Sequence, residues 1–263
     1  MRKPLLVVAA VVVTVALLLV AGAAVIRRDN AARVARAEAL VHDLQTLQIG
    51  KSDSRAAAAI AAKFGNAPPR PEFGGAYNKE NCAATKPLEN CAYILAMNNN
   101  PLLAVGRNAI IRLQFNHPSM RFLRLGNWLG YTEITVKNDI VVGYLFWVWF
   151  RARNGQWRGV AGRESLELPR YERVEARVSD SYSVQIPNGI RGDFLQSSLT
   201  PAATNDGRRR ALHFDFACLV QRSGCADICD VMPDAWRDFY ERRGRLDVEK
   251  FGPARLLCSA PPK

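Results

Sequence analysis

Histidine is scarce in this chain: three residues, His42, His117 and His213, among 263. That leaves few partners for a cysteine nucleophile or an imidazole-rich metal site. No HExxH, GxSxG, GxGxxG or EF-hand pattern occurs, so the usual motifs of zinc proteases, serine hydrolases, dinucleotide enzymes and calcium loops are missing. The 18 glycines and 14 prolines are too few for a collagen-like or low-complexity protein. No repeat of solenoid length is present. Gly50-Lys51-Ser52 ends like a phosphate loop, but Gln45 stands where that motif needs glycine, and the triplet follows a helical pattern rather than a strand.

What remains is ordinary globular composition, 49 % apolar and 23 % charged, with a length that fits one or two domains. The net charge of +12 is spread thinly, its largest regional excess being four, between residues 66 and 130. A nucleic-acid footprint clusters on one face or helix, so no nucleic-acid partner is expected. Arg208-Arg209-Arg210 is the one tight basic run, and with Asp206 before it the run reads as a solvated turn ahead of a strand.

The clearest signal lies at the N-terminus. Arg2 and Lys3 precede an apolar stretch over 4–26, interrupted only by Thr14 and closed by Arg27-Arg28. Twenty-three helical residues reach roughly 34 Å, enough for a hydrocarbon core of about 30 Å. A membrane anchor over residues 1–26 is the preferred reading. The rival is a signal peptide cleaved after Ala23, at Ala21-Gly22-Ala23. No cysteine lies near the segment for a lipoprotein anchor, and no glutamate lies within it as in a pilin. Arg27, Arg28, Arg33 and Arg36 argue for a cytoplasmic body by the positive-inside rule. The even set of six cysteines argues the other way, because disulfides persist in oxidising compartments. Weighing the cysteines more heavily gives a single-pass protein with a periplasmic or otherwise extracytoplasmic body.

None of those cysteines forms a C-x-x-C pair. Cys82 and Cys91 close a short loop through Pro87, while Cys218, Cys225, Cys229 and Cys258 allow three pairings. His213, Cys218, Cys225 and Cys229 are zinc ligands by type, but C-x6-C-x3-C matches no common zinc module. No cofactor is expected.

Beyond the anchor, residues 27–65 read as two helices. Val34, Ala37, Leu40, Val41, Leu44 and Leu47 form one apolar stripe, suited to core packing or, alternatively, to a self-associating coil. Gly50 ends that helix. Ser52 and Asp53 offer N-cap oxygens for an alanine-rich second helix to Phe64, with Gly65 beyond its end. Within this stretch, Leu44–Gly65, LQTLQIGKSDSRAAAAIAAKFG, resembles the leucine–glycine–serine, second-helix, glycine pattern of small outer-membrane assembly lipoproteins of the SmpA/OmlA (BamE-like) type. The resemblance implies two helices on a three-stranded antiparallel sheet, and protein–protein contact rather than catalysis. This chain lacks that family's lipidated cysteine and carries a longer sheet region.

Residues 66–90 read as a linker or arm with a disulfide loop, its 66–75 part rich in proline and glycine. From 91 to 263 a mainly antiparallel sheet domain is expected, making the chain α+β. Strands are expected at 91–97, 109–115, 133–137, 140–153, 156–160, 182–186 and 211–220, with tight turns at Asn138-Asp139 and Asn154-Gly155. The second of these reads as type I′. In the 140–153 strand, Tyr144, Phe146, Val148 and Phe150 alternate with Leu145, Trp147 and Trp149. Both faces are apolar, which places this strand at the sheet's centre, covered on both sides. Pro233 opens a short C-terminal helix to Arg243, with Trp236, Phe239 and Tyr240 on its apolar face.

Catalytic candidates are sparse. On a 211–220 strand, Leu212, Phe214, Phe216, Cys218 and Val220 would share one face, and His213 and Asp215 the other, side by side, where the carboxylate orients the imidazole as a general base. An exposed polar face gives the same alternation. Arg191-Gly192-Asp193 spells an adhesion tripeptide that arises often by chance. The tryptophans at 147, 149 and 157 suit core and sheet-cap positions. Two function classes follow. One is a membrane-anchored extracytoplasmic binding or assembly module without catalysis, with a protein partner in the envelope. The other is an envelope hydrolase or transferase with a site dispersed over the sheet and its loops. Neither specifies an oligomeric state.

Overall fold

A computed structural model of the chain describes residues 2–65, 80–82, 90–98, 128–168, 175–186, 194–221, 223–250 and 258. The expected 109–115 strand, His117, the 66–75 linker, Pro87 and the Arg191-Gly192-Asp193 triplet lie outside these residues. The fold is α+β: a long apolar N-terminal helix, a mostly antiparallel sheet, and a C-terminal helix.

Helix α1 runs without a break from Arg2 to Thr46. Its most apolar 18-residue window has mean hydropathy 2.1 and is 0 % buried, so by length and composition this is the one described helix able to cross a membrane. Further along, the same helix becomes core. Val34, Ala37, Leu40, Val41 and Leu44 turn inward at helical spacing, followed by Leu47 and Ile49 after the helix ends, and all seven are buried. The stripe therefore packs against its own domain. Asn30 marks the transition. Its carboxamide oxygen accepts from Trp128 Nε1 at 2.9 Å, and its Nδ2 donates to the Leu219 carbonyl at 2.9 Å. Helix α2 (Ser54–Phe64) starts where the Asp53 carboxylate accepts from Ala56 N–H, and it buries Ala57, Ile60, Ala61 and Phe64.

The strands are β1 (Glu80–Asn81), β2 (Asn90–Asn98), β3 (Trp128–Lys137), β4 (Ile140–Arg151), β5 (Trp157–Ser165), β6 (Glu175–Ser179), β7 (Tyr182–Gln185) and β8 (Phe194–Leu199). They lie in the order β1-β2-β3-β4-β5-β8-β7-β6, so β4 is central. Among the described strands, only β1–β2 and β5–β8 pair in parallel. One face of β4 (Tyr144, Phe146, Val148, Phe150) is fully buried under the helices. The expectation of equal cover is corrected on the other face: Leu145, Trp147 and Trp149 are half-buried. There Trp147 meets Tyr131 edge-on at 5.1 Å, and Trp149 lies 5.4 Å from Phe194.

Two hairpins organise the sheet's middle. Asn138 (φ 51°) and Asp139 (φ 65°) turn β3 into β4 through the paired left-handed residues of a type I′ turn. At the other hairpin the expected type I′ turn does not form, because only Gly155 has positive φ. Instead Gly155 N–H donates to the Ala152 carbonyl and Ala152 N–H to the Gln156 carbonyl. That is a three-residue loop with glycine at its left-handed position.

The expected strand at 211–220 is absent. Thr204 caps a short helix α3 (Asn205–Ala211), Leu212 closes it, an irregular link follows over 213–216 with Phe216 already in helical backbone geometry, and α4 (Ala217–Val220) closes the region. The alternation is real, since Leu212 and Phe216 are buried while His213 and Asp215 are exposed. It arises because the segment lies across the sheet's face rather than in its plane. Arg208-Arg209-Arg210 consequently sits in a helix, not in a turn before a strand. A 3-10 turn (Ile228–Asp230) leads into α5, which runs from Pro233 to Lys250, longer than the 233–243 expected. Trp236 and Phe239 are buried on it, and Tyr240 is half-buried. Three disulfides join Cys82 to Cys91, Cys218 to Cys225, and Cys229 to Cys258.

Candidate functional site

The most built polar region lies around α3. Arg208 reaches down to the sheet, where Nη1 sits 2.8 Å from Glu164 Oε2 on β5. Glu164 is completely buried, and Tyr144 O–H donates to the same oxygen at 3.0 Å. A parallel arrangement holds α5. Arg210 Nη1 lies 2.9 Å from Asp238 Oδ1, while Tyr182 O–H donates to Asp238 Oδ2 at 2.8 Å. Arg209 points outward and pairs with Asp206 at 2.7 Å. Each arginine of the basic run therefore meets a carboxylate, Glu164 and Asp238 being buried, and Arg210 Nε also reaches Asp206 Oδ2 at 3.2 Å, so Asp206 is shared with Arg209. A buried carboxylate in an apolar layer costs several kcal/mol unless paired, so these contacts hold the helix layer on the sheet.

Burial pushes the Glu164 carboxyl above its ordinary value, outweighing the Arg208 charge and the hydrogen bonds from Tyr144 and Arg208. Asp238 is raised likewise, chiefly by burial. Both tyrosine hydroxyls are pushed up, first by burial and then by the neighbouring carboxylates. A carboxyl with a raised folded value holds its proton longer in the folded chain than in the unfolded one. Its stabilising contribution is complete below the ordinary carboxylate range and is lost as pH rises through the folded value. The exposed Asp53 and Asp206 are lowered, by the Ala56 N–H and by Arg209 respectively, so their contribution is lost as pH falls. Denaturant titrations between about pH 4 and pH 8 should show stability declining above the ordinary carboxylate range, and Glu164→Gln should flatten that decline. An unchanged slope in the variant would remove Glu164 as its source.

Above this buried layer lies a groove of about 570 Å³ between α1 and the 205–216 region. Glu38, Val41, His42 and Gln45 of α1 form one wall, and Arg208, Arg209, Leu212 and His213 belong to the other. Gly162 of β5 lets the second wall lie close, since a Cβ there would stand 2.8 Å from Leu212 Cδ2. Gln45 Nε2 donates to the Leu212 carbonyl at 3.2 Å and ties the walls together.

His213 is in this groove, exposed, but its partner is Asp234 of α5, with Nδ1 and Oδ2 2.8 Å apart. Asp215 is not beside it. Its carboxylate accepts from Ala217 N–H at 2.9 Å and starts α4. The proposed His213–Asp215 pairing is therefore corrected, because the segment is not a ladder strand. Cys218, Cys225, Cys229 and Cys258 are all spent in disulfides, leaving no thiolate beside His213 for zinc. Among the described residues no group of three His, Cys, Asp or Glu side chains gathers in metal-binding geometry. Gly50-Lys51-Ser52 is occupied structurally: Gly50 N–H donates to the Val141 carbonyl, and Val141 N–H to the Ser52 carbonyl.

His42, Arg208 and Arg209 are the groove residues missed from sequence. The sequence carries little signal for them, since Glu164 shares its face of β5 with Arg158, Val160 and Gly162, a pattern that does not by itself mark a buried carboxylate. The groove offers two imidazoles, the Glu38 carboxylate, the outward Arg209 guanidinium paired with Asp206, and an apolar floor. No family model matches the chain, nor does any curated protein or solved structure.

Proposed function

We propose that the protein is a single-pass, membrane-anchored module with an extracytoplasmic body that binds or assembles with a protein partner and does no chemistry of its own. The observation that carries this reading is α1. The helix apolar enough to span a bilayer continues into the centre of the domain core, so anchor and fold share one element. A body built upon its anchor suits a protein that acts at one membrane surface. Three disulfides suit an oxidising compartment. The likeness of residues 44–65 to contact domains of the SmpA/OmlA type agrees in kind.

A second reading, an envelope hydrolase or transferase, has one observation in its favour. Asp234 orients His213 in a groove that also holds His42 and Arg209.

A photoreactive benzoylphenylalanine in place of His42, in living cells, separates the two. The expected result is a discrete protein adduct at 42 and none in place of Arg55, an exposed position on α2. A small-molecule adduct at 42 would favour the second reading. No adduct at all, or a body digested by external protease only after lysis, would overturn the proposal.

A further inference from the structure

We infer that the domain rests on the bilayer crossed by α1, through the tip of the β4–β5 hairpin and the neighbouring Val220, Ser223 and Gly224, and that this surface binds anionic phospholipid headgroups. The inference rests on reading α1 as a membrane-spanning helix. Two contacts fix how α1 lies along β4. Near its start, Asn30 is bonded to Trp128, which is paired in register with Phe150 near the end of β4. Just past its end, Gly50 and Ser52 are bonded to Val141 at the beginning of β4. The helix and the strand therefore run antiparallel, and the end of β4 points back along α1 towards the apolar segment.

Distances then place the hairpin tip. From Asn30 back to Ile26, where the apolar run stops, is four helical residues, or roughly 6 Å. From Phe150 the chain runs on through Arg151 into the 152–156 turn, roughly 10 Å further in the same direction. The tip thus reaches the level at which the apolar helix meets headgroups. Val220, Ser223 and Gly224 are held at that level as well. Arg153 Nε donates to the carbonyls of Ser223 and Gly224, and its N–H to that of Cys225. Cys225 is in turn bonded to Cys218, and Asn30 holds the Leu219 carbonyl.

The chemistry of this end fits an anionic leaflet. Arg27, Arg28 and Arg153 are exposed, and Arg151 is half-exposed beside them. Asp29 is engaged by Arg33, Asp227 lies 3.6 Å from the buried Arg158, and the Asp230 carboxylate accepts from the Ala226 and Asp227 N–H groups, so these carboxylates are engaged within the fold. Val220, 38 % exposed, is an apolar side chain at the same rim. Basic residues around an exposed aliphatic side chain suit the boundary between headgroup phosphates and acyl chains.

The full chain, reconstituted into nanodiscs of phosphatidylethanolamine and phosphatidylglycerol, provides the test. Benzoylphenylalanine replaces Asn154 or Val220 at the proposed contact, and Lys51 or Glu167 at the opposite end of the sheet. The expected result is phospholipid adducts at 154 and 220 and none at 51 or 167, with adducts lost when phosphatidylcholine replaces the phosphatidylglycerol. Alkaline extraction of native membranes reports on the anchor separately. A chain that resists extraction yet gives no lipid adducts at 154 and 220, or equal adducts at 51, overturns the surface while the anchor stands. Adducts of unchanged yield in phosphatidylcholine overturn the anionic preference. A chain released by alkali overturns the anchor and the surface with it.

Discussion

Arg208→Met should destabilise the domain by about 3–5 kcal/mol, because it removes the cation paired with the fully buried Glu164 carboxylate. Methionine conserves much of the arginine stem, so the loss is mainly electrostatic. Glu164 would then have to take up a proton on folding, or unfold the contact. Two further variants make the cause visible. Glu164→Gln added to Arg208→Met should recover most of the loss, since a neutral amide tolerates the layer without a cation. Lowering the pH should shrink the single-variant penalty, because Glu164 is already shifted towards its neutral form by burial. Urea unfolding of the detergent-solubilised chain measures all three. An Arg208→Met penalty below about 1 kcal/mol, the range of surface pairs, would mean that Glu164 is not held as a buried charge.

This pair also shows where sequence reasoning stops. Arg208 and Glu164 are 44 positions apart, and Arg210 and Asp238 are 28 apart. Local inspection sees only Asp206 beside a run of arginines and reads a solvated turn. Local signals succeed where the physics is local. The stripe from Val34 to Leu47 follows from helical spacing, the α2 start from the Asp53 carboxylate, and the Asn138-Asp139 turn from residues that tolerate positive φ. The parallel β5–β8 pairing has no comparable mark, because nothing in residues 157–165 or 194–199 states their mutual register. The groove inherits that blindness. Its walls come from α1 and from a segment placed by the β5–β8 connection, so His42 and His213 face one space although 171 positions separate them.

The 211–220 segment failed for a different reason. Period-two burial requires only that alternate side chains meet a surface. A strand meets this condition within its sheet, and so does an irregular segment lying flat across a sheet. The two differ in backbone partners: Asp215 N–H donates to the Val231 carbonyl, and no ladder with a neighbouring strand forms. The segment is held by side chains instead. Phe214 and Phe216 stack on each other at 5.6 Å, and both meet the Phe146 ring edge-on, at 5.1 and 6.0 Å.

Phe146→Ala is accordingly expected to cost about 3–5 kcal/mol, with a fall in melting temperature of roughly 10 °C. The ring is almost fully buried at the middle of the central strand. Its removal leaves a cavity that two flanking aromatic rings cannot close without leaving their own contacts. The effect should extend beyond stability. Segment 212–216 has few backbone bonds to the sheet, so losing Phe146 should release it and open the groove wall that carries His213. Amide exchange at 213–216 should therefore accelerate in Phe146→Ala more than in Ala161→Ser, a small change on the other face of the sheet. Exchange at 144–150 should accelerate only in proportion to the global loss. If 212–216 exchanges no faster than the rest of the destabilised domain, its placement does not depend on the Phe146 ring, and the groove wall is held by α3 and the Cys218–Cys225 bond instead.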